Sequence, residues 1–137
     1  ILGYLPTRLT LECHAAFTVA SANETNSGFG FLIGGGTAST AADQTAAIVS
    51  DATNILLRTA PAGGVLTDNG GTVAAVGATY HMWKIILDGT NIEWFMDDTS
   101  QGTISMSTVT EEFPVSFFGH VLTTNRINIS FVHVYYS

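Results

Sequence analysis

Lysine occurs once in these 137 residues, at Lys84, and arginine three times, at Arg8, Arg58 and Arg126, against eleven acids, for a net charge of −7. A protein that holds a polyphosphate backbone clusters several cations. Four scattered ones exclude nucleic acid as an expected partner, and an anionic membrane surface with it. Cysteine also occurs once, so no disulfide can form within the chain and no CxxC-type metal site exists. Cys13 reads as a small buried hydrophobe on a strand. Only 11% of residues are charged, against about 25% in an average domain, yet no apolar run approaches the ~20 residues of a membrane helix, so no membrane insertion is expected. The first residues carry neither a basic region nor a cleavage site, so no signal peptide is expected.

Helical periodicity is missing too. Ala38 to Ala47 is the one helix candidate, and its Ser and Thr content weakens it. Catalytic signatures are equally scarce. No Ser lies in G-x-S-x-G, and no Lys-Ser/Thr follows Gly34-Gly35-Gly36 to make a phosphate loop. His14, His81, His120 and His133 are far apart in sequence, without metal-ligand spacing.

What is present is apolar, at 46% of residues, and punctuated by 14 glycines. Strand-like runs recur at Leu9–Val19, Gly28–Ile33, Ala46–Ser50, Asn54–Thr59, Thr72–Val76, Trp83–Leu87, Ile92–Met96, Thr103–Val109, Val115–Val121 and Ile127–Tyr136. Ala60 to Gly71 reads as loop. Many short strands separated by Gly and Asn/Asp turns indicate an antiparallel β-sandwich or jelly roll, with residues 1–137 forming one domain. Ile1 to Pro6 is an apolar lead-in, a first strand or an arm on a neighbour. The last strand is apolar on both faces, which places it centrally in its sheet with a second cover over it.

The clearest local signal runs from Tyr80 to Gly102. Asp88-Gly89-Thr90-Asn91 separates two β-rich runs, a strong hairpin signature. Ile92, Trp94 and Met96 alternate with Glu93, Phe95 and Asp97, so Trp94 is expected in the core.

Tyr80-His81-Met82-Trp83-Lys84-Ile85, the Asp-Gly turn, Ile92-Glu93-Trp94-Phe95-Met96-Asp97-Asp98 and the terminal Ile-x-Ile-x-Phe strand together resemble the concanavalin A-like lectin/glucanase superfamily, whose members include laminin G-like modules and family 16 glucanases. The clear match covers about a quarter of the chain. The resemblance implies an all-β sandwich of the concanavalin A-like type. Asp98 stands where the family pattern has a turn glycine, so a different turn geometry is expected there. The Glu-x-Asp-x-x-Glu strand of the catalytic glucanases is absent. Glu93 and Asp97, on one face of an alternating strand, would lie about 13 Å apart at ~3.3 Å per residue, beyond the ~5.5 Å of a retaining pair and the ~9.5 Å inverting limit.

Sugar binding needs an exposed flat ring with polar acceptors beside it. Tyr80 and His81 at a strand entry, with Asp97 and Asp98 at the following turn, are the candidate ligand-binding residues. Asp88, Asp97 and Asp98 lack the alternating pattern of a Ca²⁺ loop, so no metal and no cofactor are expected. Low charge and an apolar N-terminus point to contacts with other chains, in a homo-oligomer, through Ile1, Leu2, Tyr4, Leu5, Val132, Val134 and Tyr136. The leading expectation is a non-enzymatic structural or attachment module on a phage or virus particle surface, such as a capsid decoration, tail or fibre domain. The alternatives are a soluble extracellular carbohydrate-binding module and an atypical glycan hydrolase.

Overall fold

The computed structural model describes residues 8–18, 27–33, 44–50, 54–61, 65, 67–74, 79–106, 115–118 and 126–137. They form ten strands and, among the described residues, no helix. The strands are β1 (Leu9–Thr18), β2 (Ser27–Ile33), β3 (Gln44–Ser50), β4 (Asn54–Ala60), β5 (Thr67–Ala74), β6 (His81–Leu87), β7 (Asn91–Met96), β8 (Thr99–Ser105), β9 (Val115–Phe118) and β10 (Arg126–Tyr136). Two five-stranded antiparallel sheets result. Sheet A runs β10-β1-β6-β7-β8 and sheet B runs β5-β4-β3-β2-β9. The expected all-β sandwich is therefore the observed fold.

Period-two alternation builds the core. In sheet A, Leu9, Leu11, Cys13, Ala15 and Phe17 from β1 point inward with Trp83, Ile85 and Leu87 from β6 and Ile92 and Trp94 from β7. Phe29, Phe31, Ala46, Ile48, Ile55 and Leu57 face them from sheet B. Each large side chain removed from water in this way contributes about 1.5–3 kcal/mol. The indole of Trp83 packs edge-on against Phe17, with centroids 5.5 Å apart, and its Nε1–H donates to the Ala15 carbonyl at 3.0 Å. Trp94 is as deeply buried, but its Nε1 has no partner.

Sheet B is pinched at β2. A Cβ on Gly30 would stand 2.5 Å from Ala47 Cα and closer still to the Ala46 carbonyl oxygen, so only glycine lets β3 approach here. Ala47, Val49 and Leu56, which point away from the core, are also buried. The centrally placed, doubly covered strands are thus β3 and β4, matching their unbroken apolar runs.

Three sequence expectations are corrected. β10 is not central but an edge strand, paired with β1 alone among the described residues. A bulge explains the misreading: the register steps from His14↔Phe131 to Ala15↔Ile129, which skips Ser130 and reverses the alternation. Ile129 therefore shares the inner side with Val132, Val134 and Tyr136, while Phe131 turns outward. β5 begins at Thr67, inside the stretch read as loop, because Asp68 forms a two-pronged ion pair with Arg58 across the ladder, at 2.5 and 2.9 Å. β8 starts at Thr99 rather than Thr103, immediately after a two-residue turn. The helix candidate Ala38–Ala47 contributes Gln44, Thr45, Ala46 and Ala47 to β3, and residues 38–43 lie outside the described residues.

The two tryptophans should respond differently to truncation. Trp83→Phe removes the hydrogen bond to the buried Ala15 carbonyl, which costs about 0.5–1.5 kcal/mol beyond the lost volume. Trp94→Phe loses no hydrogen bond and should be milder. Urea unfolding of both variants checks this, and equal midpoints would contradict the role given to the Trp83 indole.

Candidate functional site

The strands that send Trp83 and Leu11 inward send their other residues outward. Register places Thr10, Glu12 and His14 of β1 beside Tyr135, His133 and Phe131 of β10 and Ile86, Lys84 and Met82 of β6. β7 adds Glu93 beside Ile86 and Phe95 beside Lys84. The outer face of sheet A is thereby a mixed aromatic and charged surface.

Glu12 is its hub. Its Oε1 accepts a hydrogen bond from the Tyr135 hydroxyl at 3.2 Å and lies 3.6 Å from Lys84 Nζ, while Oε2 is 3.9 Å from His133 Nδ1. Lys84 Nζ also donates to Asp98 Oδ1 at 3.0 Å and sits 5.5 Å from the Phe95 ring centroid. The Asp98 hydrogen bond, reinforced by the negative charges of Asp98 and Glu12, holds the lysine above its ordinary pKa. At one end of this cluster Tyr80 packs on His14 (5.2 Å) and His14 stacks on Phe131 (5.8 Å). Tyr80 and Phe131 are both 44% exposed.

The turn between β7 and β8 positions two carboxylates. Asp97 and Asp98 both have positive φ, 49° and 61°. This is the sign pattern of a type I′ hairpin turn, normally filled by Asn-Gly. The departure from the family pattern at Asp98 therefore changes the residue rather than opening the turn. Asp97 folds back onto β6. Its Oδ1 accepts the Met82 N–H at 2.9 Å and its Oδ2 meets His81 Nδ1 at 2.6 Å. A carboxylate has no proton to give, so Nδ1 carries the hydrogen, and the buried Nε2 is left without a partner.

The four ligand-binding candidates are thus split. Tyr80 and Asp98 join the outer face, whereas His81 and Asp97 pair with each other at the end of the hairpin, His81 lying on Trp83's side of β6. Asp97 does not share Glu93's face, so the expected acidic pair does not form, and Glu93 Oε1 instead accepts from Ser100 Oγ at 3.0 Å. Asp88 sits at the opposite end of β7 from Asp97 and Asp98. Its Oδ1 is filled by the N–H groups of Thr90 (2.9 Å) and Asn91 (2.6 Å). Cys13 is buried, which pushes its thiol up to about 12 and leaves it unreactive. Val132, Val134 and Tyr136 are exposed at the β10 edge, on the inner side rather than the outer. Ile1, Leu2, Tyr4, Leu5 and His120 lie outside the described residues.

Glu12, His14, Phe131, His133 and Tyr135 were not anticipated as a group. The histidines His14 and His133, far apart in sequence, face the same way on adjacent strands. The alternation Thr10-x-Glu12-x-His14 and Phe131-x-His133-x-Tyr135 is readable, but their pairing across 123 residues is not.

No protein-family model matches the chain, and no curated protein sequence does. Among solved structures it is similar to the alginate lyase AlgAT5 from Polysaccharide Lyase family 7, with a TM-score of 0.66 over 95% of this chain at 12% identity. The fold is shared with a polysaccharide lyase. That places the chain among jelly-roll sandwiches of the concanavalin A-like type. The chain spans 59% of the length of that lyase. The neighbour also corrects the expectation of a non-enzyme, since the same sandwich carries a glycan-degrading enzyme.

Asp88 and Asp97 should dominate the acid response. Both carboxyls lie below their ordinary value of 3.8, Asp88 through the Thr90 and Asn91 N–H groups and Asp97 through His81 and then the Met82 N–H. A depressed folded value means that the stabilisation is complete above the unfolded value and is lost as pH falls through the folded one. Stability should therefore drop below about pH 4. Asp88→Asn and Asp97→Asn should each lower stability at neutral pH and flatten that drop. Unfolding midpoints measured across a pH series read this out, and curves parallel to the wild type would contradict it.

Proposed function

We propose that this chain is a carbohydrate-directed protein that lays a polysaccharide across the outer face of sheet A and cleaves it there. The observation that carries the reading is the Glu12 cluster, with Tyr135, His133 and Lys84 around one carboxylate, next to the exposed rings of Tyr80 and Phe131. Glycan sites combine flat apolar rings with a few fixed polar groups that orient the ligand. This face supplies both. The Tyr135 hydroxyl, bonded to a carboxylate, can give its proton to the glycosidic oxygen as the C–O bond breaks, while a water that gives its proton to Glu12 adds to the anomeric carbon, and Glu12 then returns that proton to Tyr135. Positioned acid–base groups of this sort are worth about 10²–10⁴-fold in rate.

Likeness to AlgAT5 supports the fold and the general class of ligand. The activity itself is argued from the face. The attachment-module reading rests on composition and on the exposed Val132, Val134 and Tyr136, and has no comparable site behind it. Those three residues remain the proposed contact with other chains.

Release of new reducing ends from a panel of neutral, amino and acidic polysaccharides tests the proposal. The wild type should cleave at least one member, and Tyr135→Phe should slow that cleavage by about 10²-fold with binding retained. A folded protein that neither binds nor cleaves any member would remove the reading.

A further inference from the structure

Resting on that reading, we infer that the glycan taken by the outer face of sheet A is one without carboxylates, a neutral or amino-sugar polymer. Lys84 is the only lysine of the chain. A polyuronate needs free cations to meet its carboxylates, and Lys84 is engaged on both sides, 3.0 Å from Asp98 and 3.6 Å from Glu12. To reach a uronate it would have to leave two carboxylates unpaired beside a third. Glu93 adds further negative charge one strand away, on the same face. Unpaired like charges set against one ligand are how a site rejects it while keeping another. Arg8 precedes β1, about 13 Å along the strand from Glu12 and further still from the rings, and Arg126 opens β10 opposite Thr18, about 13 Å along the ladder beyond His14.

What the face offers instead suits an uncharged or cationic sugar. Tyr80, His14 and Phe131 form a row across β6, β1 and β10, about 10 Å wide at the usual strand spacing. The C–H face of a pyranose stacks on such rings, and an ammonium group is attracted to their π faces. Glu12, Glu93 and Asp98 can accept hydroxyl or ammonium hydrogens. Asp98 presents its carboxylate to Lys84 from a left-handed turn position, a conformation that Asp enters readily.

Affinity electrophoresis near neutral pH, with a neutral β-glucan, glucosamine oligomers or alginate in the gel, tests the inference. The wild type should be retarded by the first two and not by alginate. Tyr80→Ala combined with Phe131→Ala should abolish the retardation. The Glu12→Gln/Asp98→Asn variant frees Lys84 and should gain alginate binding by about tenfold or more. If that double variant does not fold by circular dichroism, Asp98→Asn alone should show a smaller gain in the same direction. Tighter binding of alginate than of the neutral glucan by the wild type, or no gain in the folded variant, would overturn the inference and leave the carbohydrate reading standing. A natively folded wild type bound by none of the three would overturn both.

Discussion

The indole of Trp83 decides which side of sheet A is core and which is surface. Its ring occupies the space between the sheets, and its N–H reaches the Ala15 carbonyl on the neighbouring strand. Both features specify one register of β6 against β1. A slip of one residue would reverse every side chain on β6, burying Lys84 and exposing Trp83. The charged face therefore exists because the apolar one is pinned. Trp94 reinforces the pin across the hairpin, where register sets it beside Ile85 in the same cluster.

The site inherits a weakness from its position. Phe131, His133 and Tyr135 all come from β10, which pairs only with β1 among the described residues and exposes Ile129, Val132, Val134 and Tyr136. Edge strands with few buried side chains open at lower free energy than central ones. The Tyr135–Glu12 hydrogen bond, the Glu12–His133 approach and the His14–Phe131 stack all cross this one ladder. Local opening of β10 would dismantle half the site while Glu12, Lys84 and Asp98 stayed in place. A ligand bridging β10 to β6 would hold the edge closed, so binding and edge stability are coupled in sign.

Local chemistry was legible and long-range pairing was not. The β6–β7 hairpin could be read because Asp88-Gly89 sits between two β-rich runs, and Asp88 does close the turn with its own side chain. Trp94 in the core followed from alternation with Ile92 and Met96. β10 reads as central because an apolar strand at an exposed edge looks, residue by residue, like a central one, and because the bulge at Ser130 breaks an alternation that the sequence shows as continuous. By alternation Asp97 reads as a strand residue sharing Glu93's face, whereas it leaves the strand in a left-handed conformation and turns back to His81. The Glu12 cluster stayed hidden because its members come from the first strand, the last strand and the middle of the chain, and only antiparallel closure of the two ends brings them together.

The same separation explains how 12% identity can coexist with a shared sandwich. Inward positions are constrained by packing, where any well-fitting apolar residue serves, so sequence drifts while the strands persist. Outward positions on sheet A are constrained only by what they touch. A fold shared with an alginate lyase therefore transmits the sandwich but not the side chains on its outer face. In this chain the outward positions around Lys84 carry Glu12 and Asp98, which pair with it, and Glu93 one strand away. What a ligand would meet on this scaffold is then set by a few outward side chains, independently of the interior that makes the sandwich.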